Sequence, residues 1–354
     1  DCNAIDEEYF QSIKSGLDDD DLYVAMVEMI SRLGDDHSLV LNPEDAAKED
    51  SQYGGIYYYV GIGIIASPVA EKSVAVIILT FPNSPAALAG LHSHDLILTV
   101  NGETIIDEDG FIRDIIRGPE GTNLTLTVQS PGDSPRQVET SRRRITGAIP
   151  VPYQILSSPN GQQIGYIMLA TLGDSTTGEQ VRTALYEMSK NKPLDGLIID
   201  NRQNEGGADT VLIESLSYLT NGTLGFFTSR HEKRPLIVEG QDLFGSQELP
   251  LVVLIGTETV SYGEVMSGVL KDNGRAYLIG ETTEGNVETL WGYDFPDGSR
   301  AWIAHESFRP YNHPEEDWEA LGIVPHLTIV TNWDEITIDN DPALTAALVY
   351  LDEN

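Results

Sequence analysis

The spacing of hydrophobic positions changes along the chain, and the predicted elements change with it. Near the start, Tyr23, Met26, Val27, Met29, Ile30 and Leu33 recur at helical spacing, with Gly34 as the expected stop. Asp19 and Asp20 stand where negative charge favours a helix start. Asn42-Pro43-Glu44-Asp45 reads as a turn. From about Tyr53 the texture becomes short β-like runs. Residues 60–65 are apolar and interrupted by glycine, 74–79 read as a buried strand, and 84–91 as a short helix. Residues 95–100 run into Asn101-Gly102, a strong hairpin signal, and 124–128 alternate strictly. From Gln162 onward, strands alternate with helices. Residues 164–169 read as a strand, and 179–189 as an amphipathic helix with Val181, Leu185 and Met188 on one face. The short apolar runs 197–200 and 251–255 are expected to be strands covered on both faces.

A chain of 354 residues exceeds what one core usually organises and suggests two or three domains. The pattern divides it into an N-terminal helical segment (1–52), a β-rich domain (53–146) and an α/β core (147–354), an α+β multidomain chain. Fifty-six acidic residues against 21 basic ones give a net charge of −35. That balance excludes nucleic acid, which needs clustered Lys and Arg, and disfavours anionic membrane surfaces. No apolar stretch approaches the ~20 residues of a membrane span. The chain does not open on a basic segment followed by an apolar one, so an export signal is read as already removed. The one cysteine, Cys2, excludes an intrachain disulfide and a Cys-based metal site. It is either an unpaired terminal residue or the lipid-bearing cysteine of a bacterial lipoprotein.

Ser261 is the central chemical candidate. It lies between the 251–255 strand and a helical run over 264–271. A strand–turn–helix puts the hydroxyl at a helix N-terminus, where the dipole and free N–H groups favour a developing oxyanion. The same position suits a simple N-cap, and spacing alone leaves both readings open. His92 and His94 flank a turn beside Asp95 but have no third ligand at useful spacing. No metal or cofactor is expected.

Ser84-Pro85-Ala86, Ala89-Gly90-Leu91, Asp95-Leu96-Ile97-Leu98 and Val100-Asn101-Gly102 together resemble a PDZ domain of the bacterial protease kind. Arg117-Gly118-Pro119-Glu120-Gly121-Thr122 resembles the link to its last strands. The resemblance implies that Gly61, Ile62, Gly63 and Ile64 form a loop that holds a peptide's terminal carboxylate, with the peptide added as a strand. The glycines by themselves would equally permit a tight bend. Ser261-Tyr262-Gly263-Glu264, Asp272-Asn273-Gly274-Arg275-Ala276 and Gly280-Glu281-Thr282-Thr283-Glu284-Gly285 resemble the catalytic block of tail-specific (carboxyl-terminal processing) serine proteases. The core implied is crotonase/ClpP-like. Asp200-Asn201-Arg202-Gln203-Asn204-Glu205-Gly206-Gly207 resembles their Asp-Leu-Arg-x-Asn-x-Gly-Gly loop. Leu33-Gly34-Asp35-Asp36-His37-Ser38 resembles their Leu-x-Asp-Pro-His-Thr/Ser block. The blocks occur in family order over nearly the whole chain.

One departure matters. In those proteases a lysine after a glycine, 25 positions past the nucleophile, activates the serine; here Asn286 follows Gly285. Asn cannot accept the serine proton. Lys271, ten residues along the same helix, lies ~15 Å away. Resemblance to tricorn-type core proteases implies His37 as base, with Glu319 and the adjacent Ser38 as helpers. A histidine with the ordinary pKa of ~6.5 can act as a base at neutral pH. The resemblance also implies that the N–H of Tyr262 and one from Gly206 or Gly207 hold the oxyanion. The expectation is an extracytoplasmic bacterial serine endopeptidase acting on extended or C-terminal segments of proteins. The alternatives are a pseudoprotease that binds peptides without cutting, which Asn286 favours, and a hydrolase of small esters or short peptides.

Overall fold

Alternation along the strands fixes the centre of the molecule. In Gly196–Asp200 and Leu251–Ile255, successive side chains point to opposite faces, and both faces are buried. Leu197, Ile199, Leu251, Val253 and Ile255 pack with helices Thr177–Ser189, Asp209–Ser217 and Tyr262–Asp272. Ile198, Val252 and Leu254 pack on the other side with helix Pro342–Glu353. The structure, a computed structural model, describes residues 2–35, 37–55 and 58–354, but not the side chains of 2–6, Asp19 and Asp20. The candidate lipid-bearing side chain of Cys2 therefore lies outside what is described. The central sheet runs Tyr153–Ser157, Gln163–Met168, Gly196–Asp200, Leu251–Ile255, Tyr277–Gly280, Leu327–Thr328. Its first pair is antiparallel and the rest parallel. No helix among the described residues is long and apolar enough to cross a membrane.

The β-rich module begins and ends at one place, because Tyr58–Gly61 pairs antiparallel with Arg143–Thr146. Between them, Ile64–Val69, Val74–Thr80, Leu96–Val100, Asn123–Gln129 and Arg136–Ser141 lie side by side, with Ile64–Val69 at an edge. Asn101 and Gly102 take φ of 53° and 84°, the left-handed pair that a tight two-residue hairpin needs, and Val100 pairs with Glu103. In Val74–Thr80, Ala75 and Ile77 face the module's own core, which contains Ile62, Leu91 and Leu126. Val76 and Ile78 face outward and pack with Trp333, Ile336 and the central sheet. Hydrogen bonds reinforce this docking: Trp333 Nε1 donates to the Ile77 carbonyl at 3.2 Å and His94 Nδ1 to the Trp333 carbonyl at 2.8 Å. His94 is thus part of the interface between module and core, and burial holds it below the ordinary histidine range.

At the N-terminus, helices Cys2–Lys14 and Asp19–Ser31 precede strand Leu39–Leu41. That strand pairs with Arg300–Pro310 in a second sheet, which also holds Gly222–Thr228, Lys233–Val238 and Thr289–Asp294. The expected turn at 42–45 is instead a helix start. Asn42 Oδ1 accepts the Asp45 N–H at 2.9 Å and Pro43 opens helix Pro43–Tyr53, a standard N-cap with proline in the first turn. Only Ala46 is buried in this helix, so no apolar period marked it.

A buried charge network ties the end of strand Gly196–Asp200 to the C-terminal helix. Arg202 donates from Nη2 to Asp200 and to Asp341, each at 2.6 Å, and from Nε to Asp200 at 3.0 Å. Asp341 in turn caps helix Pro342–Glu353. Burial pushes the Asp200 carboxyl up, but the Arg202 charge and hydrogen bonds outweigh it, leaving Asp200 below the usual carboxylate range. Its stabilisation is therefore present above about pH 3.9 and lost as pH falls toward the folded value. Arg202→Ala strands two buried carboxylates. Urea unfolding at neutral pH is expected to show a loss of about 3–5 kcal/mol.

Candidate active site

Three loops converge at the carboxyl ends of the parallel strands, where open α/β sheets bind ligands: 201–207, 256–261 and 281–288. Ser261 ends the middle one with φ 56° and ψ −125°. An ordinary N-cap has extended backbone. This left-handed conformation costs a non-glycine residue about 1–3 kcal/mol and persists only where surroundings enforce it. It matches the sharp strand-to-helix elbow that lifts a nucleophile clear of a sheet.

The enforcing group is Glu264, fully buried one turn into the helix. Its Oε2 accepts the N–H groups of Ser261 at 3.1 Å and Asn286 at 2.7 Å. Its Oε1 accepts Thr283 Oγ1–H at 2.6 Å and the Gly285 N–H at 2.8 Å. Burial raises this carboxyl group, opposed by these donors. On the other flank, Asn204 Nδ2 donates to Asn201 Oδ1 at 2.7 Å, and Asn201 Nδ2 reaches the Gly263 carbonyl and Ser267 Oγ, both at 2.8 Å. The glycine loop and the nucleophile helix are thereby one unit. Gly206 has φ +84°, and a Cβ there would stand 2.7 Å from Ser261 Cβ and 2.9 Å from the Tyr262 nitrogen. A side chain would fill the space beside the Tyr262 amide. The Gly206 N–H is committed to Asn204 Oδ1 at 2.9 Å. Gly206 and Gly207 line a cleft of about 760 Å³ whose other walls include Glu49, Tyr53, Arg300 and Trp302.

His37 comes to the same loops from the far end of the chain. Its Nε2 lies 2.7 Å from Glu319 Oε1, and both side chains are partly buried. Glu319 Oε2 accepts the N–H groups of Val287 at 2.7 Å and Glu288 at 3.0 Å. Gly285, at φ +90°, lets this segment approach closely, since a Cβ there would lie 2.6 Å from the Glu319 carbonyl oxygen. Ser38 supports the loop rather than the ring: its Oγ donates to Asp35 Oδ2 at 3.0 Å and accepts the Ala304 N–H at 2.9 Å. Asp35 also accepts the His37 N–H at 3.1 Å. Burial works against the Asp35 charge, yet the Ser38 and His37 donors hold its carboxyl below the usual range. Among the described residues no hydrogen bond joins Ser261 Oγ to His37. Asn286 contributes its amide N–H to Glu264.

Comparison with known proteins places the chain in a family. Residues 163–329 match the model of peptidase family S41, and 82–130 match a PDZ domain model. The chain is 32% identical over 316 residues to the carboxyl-terminal-processing protease of Picosynechococcus sp., covering 86% of this chain and 72% of that one. The chain belongs to peptidase family S41. It is therefore a serine-type peptidase, a hydrolase, with a PDZ module and a mixed α/β core. The carboxyl-terminal-processing protease of Synechocystis sp. is 29% identical over 341 residues, covering 94% of this chain and 77% of that protein. Among solved structures, the photosystem II D1 C-terminal processing protease is similar with a TM-score of 0.59 at 25% identity, covering 92% of this chain and 85% of that one.

In the PDZ module of this S41 peptidase, the Gly61–Ile64 loop has a tenant. Tyr59 Oη accepts the Ile64 N–H at 3.0 Å and donates to the Ile64 carbonyl at 3.1 Å. Ile62 is fully buried in the module core, and its carbonyl accepts the Ala86 N–H at 2.8 Å. The edge strand Ile64–Val69 borders a groove of about 530 Å³ lined by Tyr59, Ile64, Ile112, Ile116 and Arg117.

Reading the sequence as motifs missed Glu264, Asn201, Asn204 and Glu288. The spacing Ser261-x-x-Glu264 is that of a capping box and could have singled out Glu264. The two asparagines carried no signal apart from the motif. Glu264→Gln sets an NH₂ group against N–H donors from Ser261 and the 285–286 segment. Active-site labelling of Ser261 is expected to slow at least about tenfold with far-UV circular dichroism unchanged, and stability to drop by about 1–3 kcal/mol.

Proposed function

We propose that this S41 peptidase cleaves extended or C-terminal segments of proteins through an acyl-enzyme, with His37 in place of lysine as general base. The observation that carries the proposal is the 2.7 Å contact between His37 Nε2 and Glu319 Oε1, at the loop where the resembling proteases place their lysine. With the Nε2 proton given to Glu319, the lone pair sits on Nδ1. Nδ1 takes the Ser261 proton as Oγ attacks the scissile carbonyl, and returns it to the leaving amine. Tyr262 N–H holds the oxyanion; with the Gly206 N–H committed to Asn204, Gly207 is the second donor. Water then attacks the acyl-enzyme, His37 again taking the proton. Hydrogen bonds of this kind often form fully only with substrate bound, which accounts for the separation of Ser261 from His37.

By this reading residues 1–52, 53–146 and 147–354 are the helical segment, the PDZ module and the protease core. We place the chain outside the bacterial cytoplasm, where its charge of −35 keeps it soluble. Intact mass after extraction from the source cell decides whether Cys2 carries lipid. A second reading, peptide binding without cleavage, is favoured by Asn286 and by the missing Ser261–His37 hydrogen bond.

Fluorophosphonate labelling read by intact mass separates the two. One adduct on wild type, lost in Ser261→Ala and His37→Ala, is the expected result. Labelling absent from wild type and present only in Asn286→Lys would establish the binding protein instead.

The loop Gly61, Ile62, Gly63 and Ile64 is proposed to take the substrate's terminal carboxylate, which must displace Tyr59 from the Ile64 amide. Tyr59→Phe removes the hydrogen bond that occupies the Ile64 N–H, worth about 1 kcal/mol. Anisotropy with a labelled peptide ending in a free carboxylate is expected to show about threefold to tenfold tighter binding. The amidated peptide is expected to gain nothing; an equal gain for both peptides would remove the carboxylate role.

A further inference from the structure

We propose that His37, Glu288 and Glu319 form a site for one divalent transition-metal ion of the zinc class, and that its occupancy switches the peptidase off. The metal site stands on geometry alone. The switching rests on the reading of His37 as base.

Among the described residues, these three each bring one ligand atom within 4.8 Å of the others. One imidazole nitrogen with two carboxylate oxygens is a donor set that zinc accepts at about 2.0–2.2 Å, leaving a fourth position for water. Calcium takes six to eight oxygen ligands and magnesium keeps an octahedral, largely hydrated shell, so both fit poorly. Around tetrahedral zinc, ligand atoms stand roughly 3.4 Å apart. His37 Nε2 and Glu319 Oε1, now 2.7 Å apart, must open slightly to admit the ion, and Glu288 must close by no more than about 1.4 Å. Glu288 is free to do so, because its carboxylate accepts no hydrogen bond among the described residues.

The surroundings already hold the other two ligands. Glu319 Oε2 is fixed by the Val287 and Glu288 amides at 2.7 and 3.0 Å, and outer hydrogen bonds of this kind orient metal ligands. The His37 backbone is fixed by Asp35 at 3.1 Å. Nor does a resident cation compete: among the described residues no lysine or arginine pairs with Glu288 or Glu319, and the position of the family lysine holds neutral Asn286. Zinc would enter between Nε2 and Oε1. With Nε2 bound to metal, a neutral imidazole carries its proton on Nδ1. Neither nitrogen then keeps a lone pair for the Ser261 proton.

Calorimetric titration of zinc into the full chain, Ser261→Ala, Glu288→Gln and His37→Asn tests the site. Fluorophosphonate labelling of Ser261 with and without zinc tests the switch. Glu288→Gln keeps the backbone donor to Glu319. The expected result is one zinc per chain in wild type and Ser261→Ala, bound at least about tenfold more weakly in both ligand variants. Labelling of wild type slows in zinc, and labelling of Glu288→Gln needs about tenfold more zinc to slow equally. Absence of binding in wild type, or binding that neither ligand variant weakens, overturns the site. Binding that both variants weaken, with labelling indifferent to zinc, overturns the switch and with it His37 as base.

Discussion

A single buried carboxylate holds the active site together. Isolated in the interior, Glu264 would be strongly unfavourable in its charged form. It persists because four donors meet it: Ser261 and Asn286 on one oxygen, Thr283 and Gly285 on the other. Those donors come from two different loops, so the carboxylate spans them. One end holds Ser261 in a left-handed backbone that a serine would otherwise leave. The other end places the 285–288 segment, whose next two amides grip Glu319 and through it His37. Nucleophile and base candidates from opposite ends of the chain are thus referenced to one short stretch of backbone. A shift in that stretch would move both.

The layers beneath make that precision affordable. Strands buried on both faces cannot slip by one residue without exchanging their two apolar sets, so their carboxyl ends deliver the three loops in fixed register. Arg202 locks the first of those loops to the C-terminal helix through Asp200 and Asp341. On the same side of the sheet, the PDZ module presses Val76 and Ile78 against Trp333 and Ile336, with His94 and Ile77 hydrogen-bonded to Trp333. Its peptide groove is therefore held in a set orientation to the core. Tyr59, on the strand that leads into the module, hydrogen-bonds both backbone groups of Ile64.

Much of this was legible in the sequence, for reasons that differ by element. The 197–200 and 251–255 runs reveal themselves because burial on both faces leaves no polar position before Asp200 at the end of the first. Asn101-Gly102 reveals a hairpin because few other residues accept two left-handed conformations in succession. The helix Pro43–Tyr53 was hidden because it buries a single alanine, although Asn42, Pro43 and the acidic first turn marked its start. The second sheet was hidden because the pairings that join its parts, Leu39–Leu41 and Gly222–Thr228 each against Arg300–Pro310, are between strands far apart in sequence. In the site, Ser261, His37, Glu319 and the glycine pair were named from motifs, and His37 and Glu319 do meet. Of the groups that position them, Glu264 left only its capping-box spacing, and the asparagine pair bonds to each other, to a backbone carbonyl and to Ser267, contacts that residue identity does not reveal.

The electrostatics around Asn286 bear on the proposed choice of base. A lysine serves as a base only when it is neutral at working pH, which requires desolvation or a nearby positive charge to depress its pKa. Here the Asn286 amide touches Glu264, Glu288 follows two residues later, and Glu319 binds the intervening backbone. Opposite charges at such range favour the protonated ammonium. A lysine at 286 would accept the serine proton only if desolvation outweighed these carboxylates, a balance that labelling of Asn286→Lys reads. In the proposed mechanism one of these carboxylates does different work: Glu319 fixes the His37 tautomer and stabilises the imidazolium formed as the serine attacks. The neutral Asn286 side chain leaves those carboxylates without a cation at that position.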